Sequence, residues 1–265
     1  EAGAFDGSPV ALGCMTGFAP YDLENVSIVG YDVVVNRPKS AAYRAPGAPV
    51  AAFAVESTLD ELARKLAMDP IALRENNAAK EGTRAAYGPK FNRIGFEETL
   101  TAAKNHPHWS APLGPDQGRG IASGFWVNIG GNSSDSVNIN EDGTVIVVTG
   151  NPDIGGSRAS MALMAAEVLG VDIAKVKPQV ADTESVPYSD LTGGSRVTFA
   201  TGKAVIEAAQ DAVRDMKERA AKIWEVDADQ VEWRDGKAVA IETDKHQPLS
   251  VADIAGMAGK TGGPI

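Results

Sequence analysis

DGTVIVVTGNPDIGGS, residues 142–157, decides the fold because it places a turn, a strand and a glycine-rich turn in immediate succession. Asp142-Gly143 is a strong hairpin signal, and the β-branched run at 144–149 is typical of a strand. In residues 158–169, apolar side chains recur at the spacing of a helix. The sequence therefore predicts a hairpin whose second strand passes through a glycine-rich turn into a helix.

Helices and strands on either side of this stretch do not alternate regularly. Such an order favours an α+β fold over a doubly wound parallel sheet. Loop-forming residues before Gly118 suggest a boundary, so we expect two lobes, at residues 1–105 and 118–265. Helices are predicted at 49–67, 69–77, 95–103, 158–169, 203–225 and 250–257. One or two strands are predicted at 26–35, further strands at 120–127, 136–140 and 144–149, a short strand within 171–181, and a hairpin at 231–241.

The composition argues against several functional classes. The net charge of -10 comes without any basic run, which speaks against a nucleic-acid partner. Cys14 is the only cysteine, so the chain by itself forms no internal disulfide, cysteine zinc site or iron–sulfur cluster. No apolar run has the length of a membrane span and no signal peptide is visible, so we expect a soluble, cytoplasmic protein.

Three loops of small residues precede predicted helices: AYRAPGAP (42–49), TGNPDIGGS (149–157) and TGGSR (192–196). Backbone N–H groups at the start of a helix suit a phosphate or another anion. None of the loops contains lysine, and their glycine spacing matches neither a Walker motif nor a dinucleotide fingerprint. We hypothesise that they converge on one ligand held by backbone N–H groups, although each is also compatible with a plain connection.

The order of the motifs along the chain is similar to that of the molybdenum hydroxylase family, which includes xanthine dehydrogenases and aldehyde oxidoreductases. The resemblance implies a fold of the molybdenum cofactor-binding type, in two lobes with mixed sheets and amphipathic helices. It also implies molybdopterin as cofactor, alone or as a cytosine dinucleotide. The matching motifs are AYRAPG (42–47), DPIALRENN (69–77), RGIA (119–122), DGTV (142–145), TGNPDIGG (149–156), DTESVPY (182–188) and GGSR (193–196).

The resemblance also implies roles for individual residues. The residues implied to contact the pterin cofactor are Tyr43, Arg44, Asp153, Ile154, Gly155, Gly156, Gly193, Gly194, Ser195 and Arg196. The residues implied to line the substrate pocket are Ala45, Pro46, Gly130, Gly131, Asn132 and Ser133. No residue of the chain is predicted to ligate a metal, because the three histidines show no paired spacing.

Departures from the family pattern limit what the chain does alone. The family's catalytic base is a glutamate in a Gly-x-Gly-Glu stretch near the C-terminus, and residues 259–265 contain no glutamate. No catalytic residue is therefore predicted in this chain. Leu12 stands about where xanthine-type enzymes carry a substrate-binding arginine, which speaks against purines. Ala45 stands where copper-containing carbon monoxide dehydrogenases carry cysteine.

The chain begins with Glu1 rather than methionine and ends in a glycine-rich loop, so we expect a piece of a longer subunit. The implied partners are the remainder of the large subunit and iron–sulfur and FAD subunits. The implied reaction hydroxylates an aldehyde or an N-heterocycle with water as oxygen source. Two alternatives remain open from the residues: a folded fragment or assembly subunit that binds no cofactor, and an unrelated anion-binding α+β protein.

Overall fold

The computed structural model describes residues 1–180, 182–241 and 245–265, and its contacts divide the chain into two compact units, Glu1–Trp126 and Val127–Ile265. Helices of the first unit are α1 (Val10–Gly17), α2 (Ala48–Lys65), α3 (Pro70–Asn76), α4 (Phe96–Asn105) and α5 (Pro107–Ser110). The second unit contains β1 (Asp135–Ile139), β2 (Val145–Thr149), α6 (Ser157–Leu169), β3 (Val176–Val180), α7 (Gly202–Trp224), β4 (Val231–Arg234), β5 (Lys237–Ala240), β6 (Leu249–Ser250), α8 (Val251–Ala255) and α9 (Ala258–Thr261).

The first unit is mainly helical, and α2, α3 and α4 begin where the local signals predict. Pro49 lies in the first turn of α2, where its missing N–H costs no intrahelical hydrogen bond. The Asp69 carboxylate caps α3 by accepting from the N–H groups of Ile71 at 2.8 Å and Ala72 at 3.0 Å. The predicted helices at 49–67, 69–77 and 95–103 are thus confirmed within two residues at each end.

Two predicted strands are wrong. Residues 26–35 form only an isolated bridge between Val34 and Gly3, and residues 120–127 form no strand. Val29 and Tyr31 are 68% and 78% exposed, so the β-branched run lies on the surface without a neighbouring strand. Because β propensity largely reflects packing against neighbouring strands, the composition of this run is not sufficient to make a sheet.

A buried ionic cluster joins the helices of the first unit. The Arg74 side chain is fully buried, and its Nε atom lies 2.8 Å from Oε2 of Glu56 on α2. Asp60, one turn further along α2, lies 2.9 Å from Nη2 of Arg74. Glu56 also accepts the Tyr21 hydroxyl and, at 2.8 Å, the Ser123 N–H. Burial, together with the hydrogen bond to Glu56, raises the pKa of Tyr21 above its usual range.

The second unit is built on a small mixed sheet of order β1-β2-β3. β1 and β2 are antiparallel, with Asp135 opposite Thr149, whereas β2 and β3 are parallel and are connected through α6. α6 and α7 cover the sheet and bury Val145, Val147 and a cluster of aliphatic residues. The hairpin and both helices are confirmed, and β3 is the short strand predicted within residues 171–181, of which residue 181 is outside the described part.

A second sheet of order β4-β5-β6 completes this unit. β4 and β5 form the predicted hairpin, up to Ala240, around Asp235-Gly236. Gly236 has φ 72°, and a Cβ atom there would overlap the carbonyl of Gly170, so both backbone shape and space require glycine. Helices combined with one mixed and one antiparallel sheet confirm the α+β class.

Candidate functional site

The loop 149–157 delivers two adjacent glycines to the start of α6. Gly155 and Gly156 have φ values of 62° and 84°, and a Cβ atom at either position would meet no atom within 4 Å. Among the described residues, neither glycine N–H donates to any group. The turn therefore offers two free donors beside open space.

Asp153 supports this turn from the helix side. Its Oδ1 atom accepts the Arg158 N–H at 3.1 Å and the Ser157 hydroxyl at 3.4 Å. The Ser157 N–H in turn donates to the carbonyl of Ile154 at 3.3 Å. The first-turn amides of α6 are consequently already paired, and the donors left for a ligand are those of Gly155 and Gly156.

The loop 192–196 presents a second set of free donors. Gly194 and Ser195 both have left-handed backbones, with φ values of 67° and 58°. A Cβ atom at Gly194 would overlap Ile129, so glycine is required by close approach as well as by conformation. Within the described part of the chain, the N–H groups of Gly193, Gly194 and Ser195 have no acceptor.

Arg196 closes this loop onto residues 130–133. Its side chain is buried, and its hydrogen bonds measure between 2.5 and 2.9 Å. The acceptors are the carbonyl oxygens of Gly130, Asn132 and Asp190 and the hydroxyl of Ser133. The implied substrate wall and the implied cofactor loop are therefore one connected structure in this unit.

Asn151 connects the loops 149–157 and 192–196. Its Nδ2 atom donates to the Thr192 hydroxyl at 3.0 Å, and its Oδ1 atom accepts from Ser189 and, at 2.6 Å, from Thr201. Asn151 is 3% exposed and Thr201 is 0% exposed. The hypothesis that these two loops converge is thus supported within the second unit, through polar residues that the sequence analysis did not identify.

Thr201 owes its position to a π-helical turn, Val197–Thr201, that runs directly into α7. The Gly202 N–H reaches back to the carbonyl of Val197, five residues earlier, as well as to that of Phe199. Such turns are rare and often occur at functional sites.

An ionisable pair borders the wall loop. The Tyr188 hydroxyl donates to Oδ1 of Asp190 at 2.6 Å, and the Asn132 N–H donates to Oδ2 at 2.6 Å. The Tyr188 hydrogen bond is the main reason why the pKa of Asp190 lies below its usual range, and the same bond raises the pKa of Tyr188. Asp190 is therefore held as an ionised acceptor that fixes the wall.

Asp135 lies at the beginning of β1 with both carboxyl oxygens buried, and within the described part of the chain neither oxygen accepts a hydrogen bond of normal geometry. It shares a sheet face with Val137 and Ile139, which pack into the core. Burial raises its pKa to about 6, and the hydroxyl of Thr149 on the opposite strand offsets part of that rise. This carboxyl is thus costly to ionise.

The loop 42–49 in the first unit is strained. Arg44 and Ala45 have φ values of 31° and 52°, which non-glycine residues rarely adopt. Gly47 follows with φ 84°, and a Cβ atom there would overlap the backbone of Pro9 and Gly13 at the start of α1.

The side chains of this loop divide into exposed and pocket-lining groups. Tyr43 is 87% exposed and Arg44 is also exposed. Ala45 lines a cavity of about 380 Å³ together with Thr16 and Trp126. The loop therefore combines backbone strain with two accessible side chains and one cavity wall, a combination common at ligand sites.

Replacing Ala45 with glycine tests whether this strain is stored at the site. We expect Ala45→Gly to raise the free energy of unfolding by up to about 1 kcal/mol, because the left-handed conformation costs glycine nothing. In Ala102→Gly, an exposed position of α4, the same change should instead lower it by about 1 kcal/mol. Urea unfolding of both variants makes the comparison, and an equal loss in both would show that Ala45 is unstrained.

The described residues contain neither a candidate metal site nor a candidate membrane span. Among residues 1–180, 182–241 and 245–265, no group of histidine, cysteine and acidic side chains could hold a metal ion. In the same residues, no helix combines the length and apolar composition needed to cross a bilayer.

Family models match most of the chain. Two models, both described as molybdopterin cofactor-binding domain, match residues 1–78 and 93–264, and the second match alone covers more than half of the chain. Among curated proteins, the xanthine dehydrogenase molybdenum-binding subunit of Escherichia coli O157:H7 is 29% identical over 83% of this chain and 31% of its own length. Aldehyde oxidoreductase of Megalodesulfovibrio gigas is 31% identical over 74% of this chain and 23% of its own length.

Solved structures show the same fold. Quinoline 2-oxidoreductase from Pseudomonas putida 86 superposes with a TM-score of 0.76 at 20% identity, covering 98% of this chain and 37% of that one. The chain spans about a quarter to a third of the length of the curated relatives named above. These matches confirm the predicted resemblance and show that the interpretation as an unrelated anion-binding protein is wrong. The chain belongs to the molybdopterin cofactor-binding domains of the molybdenum hydroxylase family.

Proposed function

We propose that the loops 149–157 and 192–196 hold molybdopterin through backbone N–H groups. The observation that carries the proposal is the set of free donors at Gly155, Gly156, Gly193, Gly194 and Ser195, on two loops joined by the Asn151–Thr192 hydrogen bond. Pterin oxygens and a phosphate accept hydrogen bonds, and the open space beside Gly155 and Gly156 admits them. The residues present therefore fit the cofactor.

The remaining implied residues take supporting or lining roles in this proposal. Asp153 keeps its turn in shape, and Ile154, which is 62% exposed, offers an apolar surface to the pterin ring. Tyr43 and Arg44 are the proposed cofactor contacts of the first unit. The proposed substrate-pocket residues are Ala45, Pro46, Gly130, Gly131, Asn132 and Ser133.

For the whole protein we propose hydroxylation of an aldehyde or an N-heterocycle. When bound, the cofactor would supply the redox chemistry, in which a C–H carbon gains oxygen from water and two electrons and two protons are released. Iron–sulfur and FAD partners are proposed to accept the electrons, since a single cysteine excludes such clusters from this chain. We assign the base to the remainder of a longer subunit and place the enzyme in the cytoplasm.

The variant Gly155→Ala tests the cofactor site directly. A methyl group would enter the space beside the free donors, so we expect the molybdenum content of the purified protein to fall at least tenfold. Gly82→Ala is the matched control, because Gly82 has φ 84° with open space around it but lies outside every implied loop. Both variants should lose a similar, small amount of stability, about 1 kcal/mol.

Molybdenum and pterin are measured on protein from a host that makes the cofactor. Retained molybdenum in Gly82→Ala together with its loss in Gly155→Ala supports the proposal. Equal molybdenum in the two variants would contradict it. No molybdenum in the parent protein either would favour the alternative, a folded fragment or assembly subunit that binds no cofactor.

A further inference from the structure

Arg196 is a buried cation, 2% exposed, and none of its nitrogens lies within ion-pair distance of a carboxylate among the described residues. Asp190 is the anion that acts on it from a longer distance, since, besides the hydrogen bond from Tyr188, the Arg196 charge lowers the pKa of Asp190. Burying a charge is expensive, so the direct partners of Arg196 show what it does. Four N–H groups of its guanidinium are engaged, all with neutral oxygens of this chain. A guanidinium has five such groups, so one remains for any other role.

The partners of Arg196 are distant in sequence and close in space. Gly130 and Asn132, more than 60 residues earlier, accept from Nε and Nη2, and Asp190 accepts from Nη1. A Cβ atom at Gly131 would lie 3.1 Å from Nε of Arg196 and 2.8 Å from Oδ2 of Asp190. The backbone of 130–132 is thus drawn tightly over the guanidinium, and only glycine leaves room for that approach.

We infer that Arg196 is a positioning residue that sets the shape of the wall 130–133 and is not a ligand of the cofactor. This inference rests on the proposed function for the identity of the wall, although the contacts themselves do not depend on it. It departs from the role that the family resemblance implies for Arg196. The free donors of Gly193, Gly194 and Ser195 remain for the cofactor, since Arg196 points its own donors into the protein.

Holding the wall 130–133 requires the planar, forked shape of a guanidinium group. Arginine reaches three carbonyl oxygens in different directions at once, whereas a lysine ammonium is a single point with three donors. We therefore expect Arg196→Lys to keep the buried charge but release part of the wall. Arg158→Lys is the matched control, because Arg158 lies in the first turn of α6 with a half-exposed side chain and one long contact to Asp153 at 3.6 Å.

Hydrogen exchange of the wall amides provides the direct test. The N–H groups of Asn132 and Ser134 donate to Oδ2 of Asp190 at 2.6 Å and to the carbonyl of Tyr188 at 2.9 Å. In Arg196→Lys we expect exchange in residues 128–134 to accelerate at least tenfold, while α6 and α7 keep their protection. Arg158→Lys should leave exchange in residues 128–134 unchanged.

Molybdenum content and kinetics separate the two roles. A positioning residue predicts molybdenum within twofold of the parent and, when the variant is made in the longer subunit to which the base is assigned, a KM that rises at least tenfold while kcat changes less. Loss of molybdenum with unchanged exchange in residues 128–134 would overturn the inference and make Arg196 a cofactor ligand. If Arg196→Lys fails to fold, Ser133→Ala removes one of the four contacts, and a rise in exchange of a few-fold is then expected; unchanged exchange there would equally overturn it.

The exchange result also distinguishes this inference from the proposed function. If the parent contains no molybdenum, the cofactor proposal fails while exchange in residues 128–134 still reports whether Arg196 holds that segment. If the parent contains molybdenum and exchange stays unchanged in Arg196→Lys, the positioning role fails and the cofactor proposal stands.

Discussion

Replacing Glu56 with alanine is expected to lower the free energy of unfolding by about 3–5 kcal/mol, because it leaves the buried Arg74 guanidinium without its main counter-charge. Arg74 is 0% exposed, so water cannot replace the lost carboxylate. The Tyr21 hydroxyl and the Ser123 N–H lose their acceptor in the same substitution. Asp60 offsets only part of this loss, since its side chain is 36% exposed and meets a different nitrogen.

Urea unfolding of the whole chain measures this effect. Glu61→Ala is the matched control, since Glu61 lies on the exposed side of α2, and its loss should stay within about 0.5 kcal/mol. The double variant Glu56→Gln with Arg74→Met removes both charges and should recover more than half of the loss. A double variant as unstable as Glu56→Ala would mean that packing, rather than the unpaired cation, determines the cost.

Replacing Asp135 with asparagine is expected to stabilise the protein at neutral pH and to have little effect at low pH. The pKa of Asp135 is raised to about 6 from an ordinary value of 3.8. Between these values the folded state keeps a proton that the unfolded state loses, so stability falls as pH rises. A rise of two pKa units corresponds to about 3 kcal/mol, and we expect about half of it because solvent screens part of the charge.

Unfolding measured at pH 4, 6 and 7.5 shows whether Asp135→Asn raises or lowers the free energy of unfolding at each pH. The gain from Asp135→Asn should be near zero at pH 4 and reach its maximum by pH 7.5. Asp142→Asn supplies a control of opposite sign, because hydrogen bonds from Thr144 hold the pKa of Asp142 below its usual range. Its penalty should appear at neutral pH and fade as pH falls. A gain for Asp135→Asn that does not vary with pH would exclude ionisation as the cause.

The parts of the fold that were predictable are those with local causes. A capping aspartate followed by proline sets the start of α3, and Asp142-Gly143 sets the hairpin of β1 and β2. The signals lie within a few residues of the structure that they specify. By contrast, α1 contains Gly13 and Gly17 and shows no regular apolar face, so no local signal predicted it.

The strands predicted at 26–35 and 120–127 failed for the opposite reason. Their composition is typical of strands, but a strand also needs a neighbour with free hydrogen-bonding groups, and that depends on distant parts of the chain. The β1–β2 pairing succeeded because both partners are contiguous in sequence.

The candidate site also has parts that local sequence signals predict and parts that depend on distant residues. Glycine-rich turns before helices indicated the loops 149–157 and 192–196, since left-handed backbones and close approaches leave a trace in composition. The burial of Asn151 and Thr201, and the contacts of Arg196 with Gly130 and Asn132, left no such trace. A polar residue in a turn is usually solvated, and only contacts from far along the chain bury it. For Asn151, the one available signal was the Asn-Pro pair within a strand-to-helix loop.

The π-helical turn at Val197–Thr201 also fixes the rotation of α7 about its axis relative to the residues that precede it. Each residue of an α-helix advances about 100° around its axis, so one residue more or fewer rotates everything on one side relative to the other. Deleting Ala200 would keep the helix continuous yet turn the hydroxyl of Thr201 away from Asn151, or else turn the apolar stripe of α7 away from its sheet. The extra residue therefore sets the rotation of the apolar face of α7 relative to the polar residues that precede it.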